Sequence, residues 1–386
     1  MTDAPREPAP LRRGQERRPQ GEPQRRRVLL HVGVPKSGTS YLQDRLARNR
    51  DVLAEQGIHY LDTRAGDHFE AALDLIERPW AGELENVRGQ WRALVDEARK
   101  VGGDVLVSHE ILAAATPEQV RRAFDSFPDH EVHVVVTARD LGRQLPAEWQ
   151  EMVKHRAVRP WRRFIRAVRK ARRTDADMWF WRVQSLPDVL SRWSAGLMPW
   201  QVHVVTVPPP GSPPEELWER FGSVLGIDSG GEYAEARASN ASLGIAEIAM
   251  IRRLNKRLRN ASVGRDVYAP IVRDLIAHET FGQQGHRQVA VVPRGHRRFV
   301  RRVTREWIEW IEGSGIDVVG DLSDLSTRWP AEDAAHPDQP DPGDVAAAAI
   351  EALAVVLTEW DRRERERREP GSSPVHRLAH RRLRGG

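Results

Sequence analysis

Short unbroken apolar blocks alternate with amphipathic stretches through the first half of this chain. Val28 to Val32, Ile58 to Leu61, Val105 to Val107, Glu131 to Ala138 and Val202 to Val207 are rich in β-branched residues, the composition of strands buried on both faces. Between them, Tyr41, Leu42 and Leu46, then Phe69, Leu73 and Ile76, then Trp91, Leu94, Val95 and Ala98, and then the stretch from Pro117 to Phe127 keep helical spacing. Gly57, Gly102-Gly103 and the run Pro208-Pro209-Pro210 punctuate the pattern. Strands alternating with helices predict an α/β fold: a parallel β-sheet with helices on both faces, joined by right-handed crossovers, whose ligands bind at the carboxyl ends of the strands. From Pro213 to Trp329 the pattern turns mostly helical, with apolar stripes over 243–260, 267–280 and 296–312. The expected organisation is a disordered Arg/Pro-rich tail over 1–27, one domain over 28–330 with a helical C-terminal part, a Pro/Asp-rich linker over 331–344, an Ala-rich helix over 345–369, and a disordered basic tail over 370–386.

The first strand runs directly into Gly33-Val34-Pro35-Lys36-Ser37-Gly38-Thr39-Ser40, and a helical pattern follows. Strand, glycine-containing turn and helix in that order aim several backbone N–H groups and a helix N-terminus at one point, where an anion is held by donors and by the helix dipole. Lys36 adds a point charge, and Ser37, Thr39 and Ser40 add hydroxyls. The lysine is itself a signal, because 55 of the 60 basic residues in the chain are arginine. In the nucleotide-triphosphatase loop the lysine follows the second glycine. Here Gly33 and Gly38 have that separation, yet Thr39 follows Gly38 and Lys36 lies inside the loop.

Pro35-Lys36-Ser37-Gly38-Thr39-Ser40 resembles the 5′-phosphosulfate loop of sulfotransferases that use 3′-phosphoadenosine 5′-phosphosulfate (PAPS). A second resemblance starts at the end of the strand over 131–138. In those enzymes a strand-end arginine and a serine eight residues later clamp the 3′-phosphate; Arg139 matches the arginine, while Ala147 stands where the serine is expected, leaving Arg143, Gln144 or a backbone N–H as substitute donors. The resemblance covers roughly 28–330 and implies a P-loop-like fold and metal-free, in-line transfer of a sulfuryl group to a hydroxyl or amine. It implies cofactor contacts from Pro35, Lys36, Ser37, Gly38, Thr39, Ser40, Arg139 and Arg143, and stabilisation of the bridging oxygen by Lys36. The base in such enzymes is a His or Glu at another strand end, and Ser108-His109-Glu110 occupies that place; Glu110 is preferred to His109. His68, Gln150 and Lys154 are weaker candidates for the acceptor site. Two rival readings are a nucleotide-dependent small-molecule kinase, which the lysine position and Arg139 oppose, and a non-catalytic nucleotide- or polyanion-binding protein.

Composition refines this picture. There is no cysteine, which excludes disulfides and thiolate chemistry and suits a cytoplasmic location. No apolar run reaches the length of a membrane span. The net charge of +5 resides in the tails, +4 over 1–27 and +5 over 361–386, so the body is net negative at −4 and no specific nucleic-acid binding is expected; the tails suit solvation or weak contact with polyanions. The expected partner is a small-molecule, lipid or saccharide acceptor. Residues 154–173 are the exception within the body, with 10 Lys or Arg and no acid. Arg159, Arg162, Arg166, Arg169 and Arg173 fall on one helical stripe and Trp161, Phe164, Ile165 and Val168 on the opposite one, the pattern of a solvated face or of a lid that steers an anion toward the site.

Overall fold

A computed structural model describes residues 25–61, 67–79, 85–175, 177–228, 231–237, 242–261, 263–283, 288–329 and 335–368. Apart from residues 25–27, the two tails expected to be disordered lie outside the described residues. The chain divides into two compact units, one of Met1–Glu148, Ile165–Ser239 and Val292–Pro330, the other of Trp149–Phe164, Asn240–Val291 and Ala331–Gly386.

The first unit is an α/β fold. Its strands are β1 (Arg27–His31), β2 (Ile58–Tyr60), β3 (Asp104–Ser108), β4 (Glu131–Ala138), β5 (Val202–Thr206) and β6 (Asp317–Val319), and they form one six-stranded sheet in the order β2-β3-β1-β4-β5-β6. Every neighbouring pair is parallel. The sixth strand lies in the stretch expected to be mostly helical. It is only three half-buried residues long, too short to show a period, and it forms by pairing with β5.

β1 lies inside the sheet, with Leu30 between Val107 and Val134 and His31 between Ser108 and Val135. Val28, Leu29 and Leu30 are wholly buried, as a central parallel strand requires. Leu29 shares a core with Leu42 and Leu46 from the helix Thr39–Arg48, with Leu106, Val135 and Val205 from three other strands, and with Trp218 and Phe221 from the helix Glu215–Leu225. Burying each such side chain contributes roughly 1.5–3 kcal/mol. The expected helix after Thr116 is Pro117–Asp125, started by a capping box between Thr116 and Gln119 with proline in the first turn. The spacing of Phe69, Leu73 and Ile76 belongs to the helix His68–Leu75, capped by Asp67, and that of Trp91, Leu94, Val95 and Ala98 to the helix Gln90–Ala98.

In the second unit the helix Ile245–Leu258 packs against the C-terminal helix Pro342–Arg368, which starts three residues ahead of its expected beginning at 345 and buries Val345, Ala348 and Ala352. Within the expected linker, the Asp338 carboxylate accepts from the backbone N–H groups of Trp161 and Arg162 at 2.8 and 2.9 Å, satisfying donors at the start of the helix Trp161–Thr174. On that helix Trp161, Phe164, Ile165 and Val168 are buried, while Arg162, Arg166, Arg169 and Arg173 are exposed, as the two stripes require. No helix among the described residues is long and apolar enough to cross a membrane.

Candidate anion-binding loop and its surroundings

The loop after β1 is held open by backbone geometry. Gly33, Lys36 and Gly38 have positive φ angles of 71°, 66° and 87°. Gly33 could not be another residue, because an added Cβ would lie 2.6 Å from the Cβ of Glu110. Lys36 adopts the left-handed region without being glycine, a conformation that persists only where surrounding structure enforces it. Gly38 is the N-cap of the helix Thr39–Arg48, and no side chain caps that terminus, so the helix presents uncapped N–H groups and its positive end to the loop.

The enforcing contacts come from several elements. Val32 and Val34 donate their N–H groups to Val135 and Thr137 on β4 at 3.0 and 2.9 Å, carrying the sheet pairing into the loop. The Pro35 carbonyl accepts from the side-chain amides of Gln144 and Gln184 at 3.0 and 2.9 Å. Arg139, at the end of β4, donates through Nη1 to the Lys36 carbonyl at 3.0 Å. Beneath the loop runs a buried polar chain: Ser108 Oγ to His31 Nδ1 at 2.7 Å, His31 Nε2 to Thr137 Oγ1 at 3.2 Å, Thr137 Oγ1 to Ser37 Oγ at 2.6 Å, and Ser37 Oγ donating to the Val34 carbonyl. Burial holds the His31 imidazole neutral, with its pKa lowered to about 4.

Ser37 is buried and fully engaged in this chain, so its hydroxyl supports the loop from below; Thr39 is buried too, while Pro35, Lys36, Gly38 and Ser40 are half-buried. Arg139 is half-buried, and its Nε is enclosed without a hydrogen-bond partner. Burial, with the nearby Arg143 guanidinium adding to it and Asp140 opposing, lowers its pKa to about 10. A cation so poorly compensated at a strand end is a place where a bound anion would gain. Arg143 is differently placed: its Nε is paired with Asp140, and its terminal nitrogens both donate to the Pro208 carbonyl at 3.2 Å. Its fork is largely committed to the protein.

At the end of β3 the two candidate bases separate. Glu110 packs against Gly33, accepts from the Gln43 side-chain amide at 3.2 Å, and lies close enough to Lys36 to feel its charge. Burial alone would push its carboxyl up, yet His109, its own backbone N–H, Gln43 and Lys36 together hold it below the usual glutamate range. His109 accepts from the Ile111 N–H through Nδ1 at 3.2 Å, capping the short helical turn Glu110–Ala114, and its ring lies 4.9 Å from that of Phe69. Burial lowers its pKa against the pull of Glu110 and Asp67.

The three weaker candidates have other tasks. His68 accepts the Ser108 N–H at Nδ1 (3.0 Å) and donates from Nε2 to the Leu61 carbonyl (2.9 Å), so both ring nitrogens are spent on backbone. Gln150 and Lys154 belong to the second unit. Gln150 exchanges hydrogen bonds with the backbone of Leu243, and Lys154 sits 3.5 Å from Glu151.

Sequence reasoning missed His31, Ser108, Thr137, Gln43 and Gln184, and it read Gln144 as a phosphate donor where its amide is spent on Pro35. For His31 and Thr137 a signal existed, a polar residue inside an otherwise apolar buried strand. The glutamines have no such mark, since Gln184 meets Pro35 across 149 positions of sequence.

In chemical terms the first unit offers backbone donors, a helix N-terminus and a lysine in one loop, an under-compensated guanidinium beside it, and a carboxylate packed against Gly33. Comparison of this chain with known protein families, with curated proteins and with solved structures gives no match.

Proposed function

We propose that this protein is a PAPS-dependent sulfotransferase, moving the sulfuryl group to a hydroxyl or amine acceptor and leaving adenosine 3′,5′-bisphosphate. The observation that carries the reading is the meeting of two cations from different strand ends at one loop: Lys36 within it, and Arg139 donating to the Lys36 carbonyl. Two separate anionic groups on one nucleotide, a 5′-phosphosulfate and a 3′-phosphate, are what such a pair suits. The loop N–H groups and the Thr39–Arg48 helix terminus would hold the 5′ anion, and Arg139 the 3′-phosphate through its under-compensated guanidinium. In place of the serine absent at Ala147, Gln144 is spent on Pro35 and Arg143 on Asp140 and Pro208, so Arg139 carries that phosphate with backbone help.

In-line transfer asks the protein for alignment, a donor at the leaving oxygen and a base for the acceptor proton. Lys36 supplies the donor. Glu110, ionised and held by Gln43 against the loop, takes the acceptor proton, and His109 keeps the turn that orients it. We place this chemistry in the cytoplasm on the cysteine-free composition.

The test is binding in magnesium-free buffer. Adenosine 3′,5′-bisphosphate should bind at least about 10-fold more tightly than ADP, the margin expected for one charge-assisted clamp. Equal affinities would remove the assignment of Arg139, and ATP binding only with magnesium would turn the reading toward a kinase.

A further inference from the structure

Within the first unit a cleft of about 600 Å³ lies between residues 165–174, the part of the helix Trp161–Thr174 that belongs to this unit, and the helix Arg294–Ser314. Cations line it from both sides, with Glu306 as its one acid, and that carboxylate is spent on Arg172 and lies 3.8 Å from Arg302. Arg169 donates to His296 at 3.1 Å and stacks on Phe299. Arg166, Lys170 and Arg173 face the same cleft, exposed and without an acidic partner among the described residues.

The arrangement differs from a solvated helix face in that cations from two helices converge on one cleft. Several exposed helix arginines pair with acids a turn away, as in Arg99 with Asp96, Arg121 with Glu118 and Arg365 with Asp361. Arg166, Lys170 and Arg173 instead stack like charges at one-turn spacing, which opposes helix formation unless an anion offsets it. The three span about 10 Å of helix.

The cleft also connects to the candidate site. Trp181 donates from Nε1 to the Val168 carbonyl at 2.7 Å, and Arg172 lies over its ring. Trp181 belongs to the helix Trp179–Gln184, whose last residue donates to Pro35 in the loop. The basic helix is therefore fixed, through one short helix, to the carboxyl end of β1.

We propose that the cleft binds the acceptor, and that the acceptor is a small molecule already carrying two or three anionic groups about one helical turn apart, together with the hydroxyl or amine that receives the sulfuryl group. This rests on the sulfotransferase reading for the word acceptor; the anion site rests on the cleft alone. Its volume falls within the roughly 300–1,000 Å³ of small-ligand sites. Single-stranded nucleic acid fits less well, because Phe299, the one aromatic residue lining the cleft, is buried and offers no stacking platform.

The experiment is calorimetric titration of the full chain with tripolyphosphate, a sulfated disaccharide and a neutral disaccharide. It compares wild type, the triple variant Arg166→Gln, Lys170→Gln, Arg173→Gln, and a charge-matched control, Arg92→Gln, Arg99→Gln, Arg121→Gln. Wild type should bind both anions and not the neutral sugar, the cleft variant should lose at least about 10-fold, and the control less than about 2-fold. Adenosine 3′,5′-bisphosphate affinity should be the same in all three. Equal losses in both triple variants, no loss in either, or a preference for single-stranded DNA or anionic vesicles over the small anions would overturn the proposal. Cleft-dependent anion binding without nucleotide binding would support the anion site and sink the sulfotransferase reading; nucleotide binding without a cleft effect would do the reverse.

Discussion

The guanidinium of Arg139 donates to the backbone carbonyl of Lys36 at 3.0 Å, so the residue proposed to clamp the 3′-phosphate also props the loop proposed to hold the 5′ anion. Replacing it by lysine keeps a charge but loses the fork. Arg139→Lys should weaken adenosine 3′,5′-bisphosphate binding by about 10- to 100-fold while ADP binding changes far less, measured by calorimetry. Parallel losses for both nucleotides would mean that Arg139 only props the loop.

Gly33 carries a second constraint. A methyl group there meets the Cβ of Glu110 at 2.6 Å on a backbone with φ of 71°, so loop and carboxylate must move apart. Gly33→Ala should lower unfolding free energy by about 1–3 kcal/mol and abolish nucleotide binding together with it. Wild-type melting and binding would show that the loop tolerates displacement from Glu110.

The buried imidazoles set an acid limit on the fold. His31, His68 and His133 each have a pKa lowered to about 4, chiefly by burial. A proton then binds more tightly to the unfolded chain, so the stability these groups contribute is present above about pH 6.5 and is lost as pH falls toward 4. Melting temperature should be flat from pH 7 to 8 and drop progressively below about 6.5. A melting temperature unchanged down to pH 4 would contradict the neutral, buried assignments.

Glu110 and His109 can be separated by shape-conserving substitutions. Glu110→Gln should cut turnover by about 10²- to 10⁴-fold with nucleotide affinity nearly unchanged, and His109→Gln should do much less. Because the Glu110 carboxyl is held below its ordinary range, the rate should stay level from pH 8 down to about 6. The reverse mutational pattern, with activity fading only as pH falls below the ordinary histidine range, would transfer the role to His109.

How far the sequence alone could go differs from residue to residue. The parallel sheet was legible because fully buried strands leave continuous apolar runs, and β6 was not, because three residues carry no period. The loop was legible because strand, glycines and a rare lysine are local signals. The roles of Arg143 and His68 were not, since each is decided by partners far along the chain: Pro208 for one, Ser108 for the other. Strand alternation leaves open which of His109 and Glu110 faces the loop, and the close approach of Gly33 to Glu110 had no mark in the sequence. The anchoring of Pro35 by Gln184 had no sequence mark at all.

The most direct test of the account is transfer itself: incubate the protein with PAPS carrying a labelled sulfuryl group and a pool of anionic and neutral hydroxyl compounds, and compare wild type with Lys36→Ala. The account predicts label on an acceptor with wild type, and a loss of about 10²- to 10³-fold in Lys36→Ala with the melting temperature retained. Turnover in Lys36→Ala within a factor of about 3 of wild type, or no label transferred by a wild-type protein that binds the nucleotide, would contradict it.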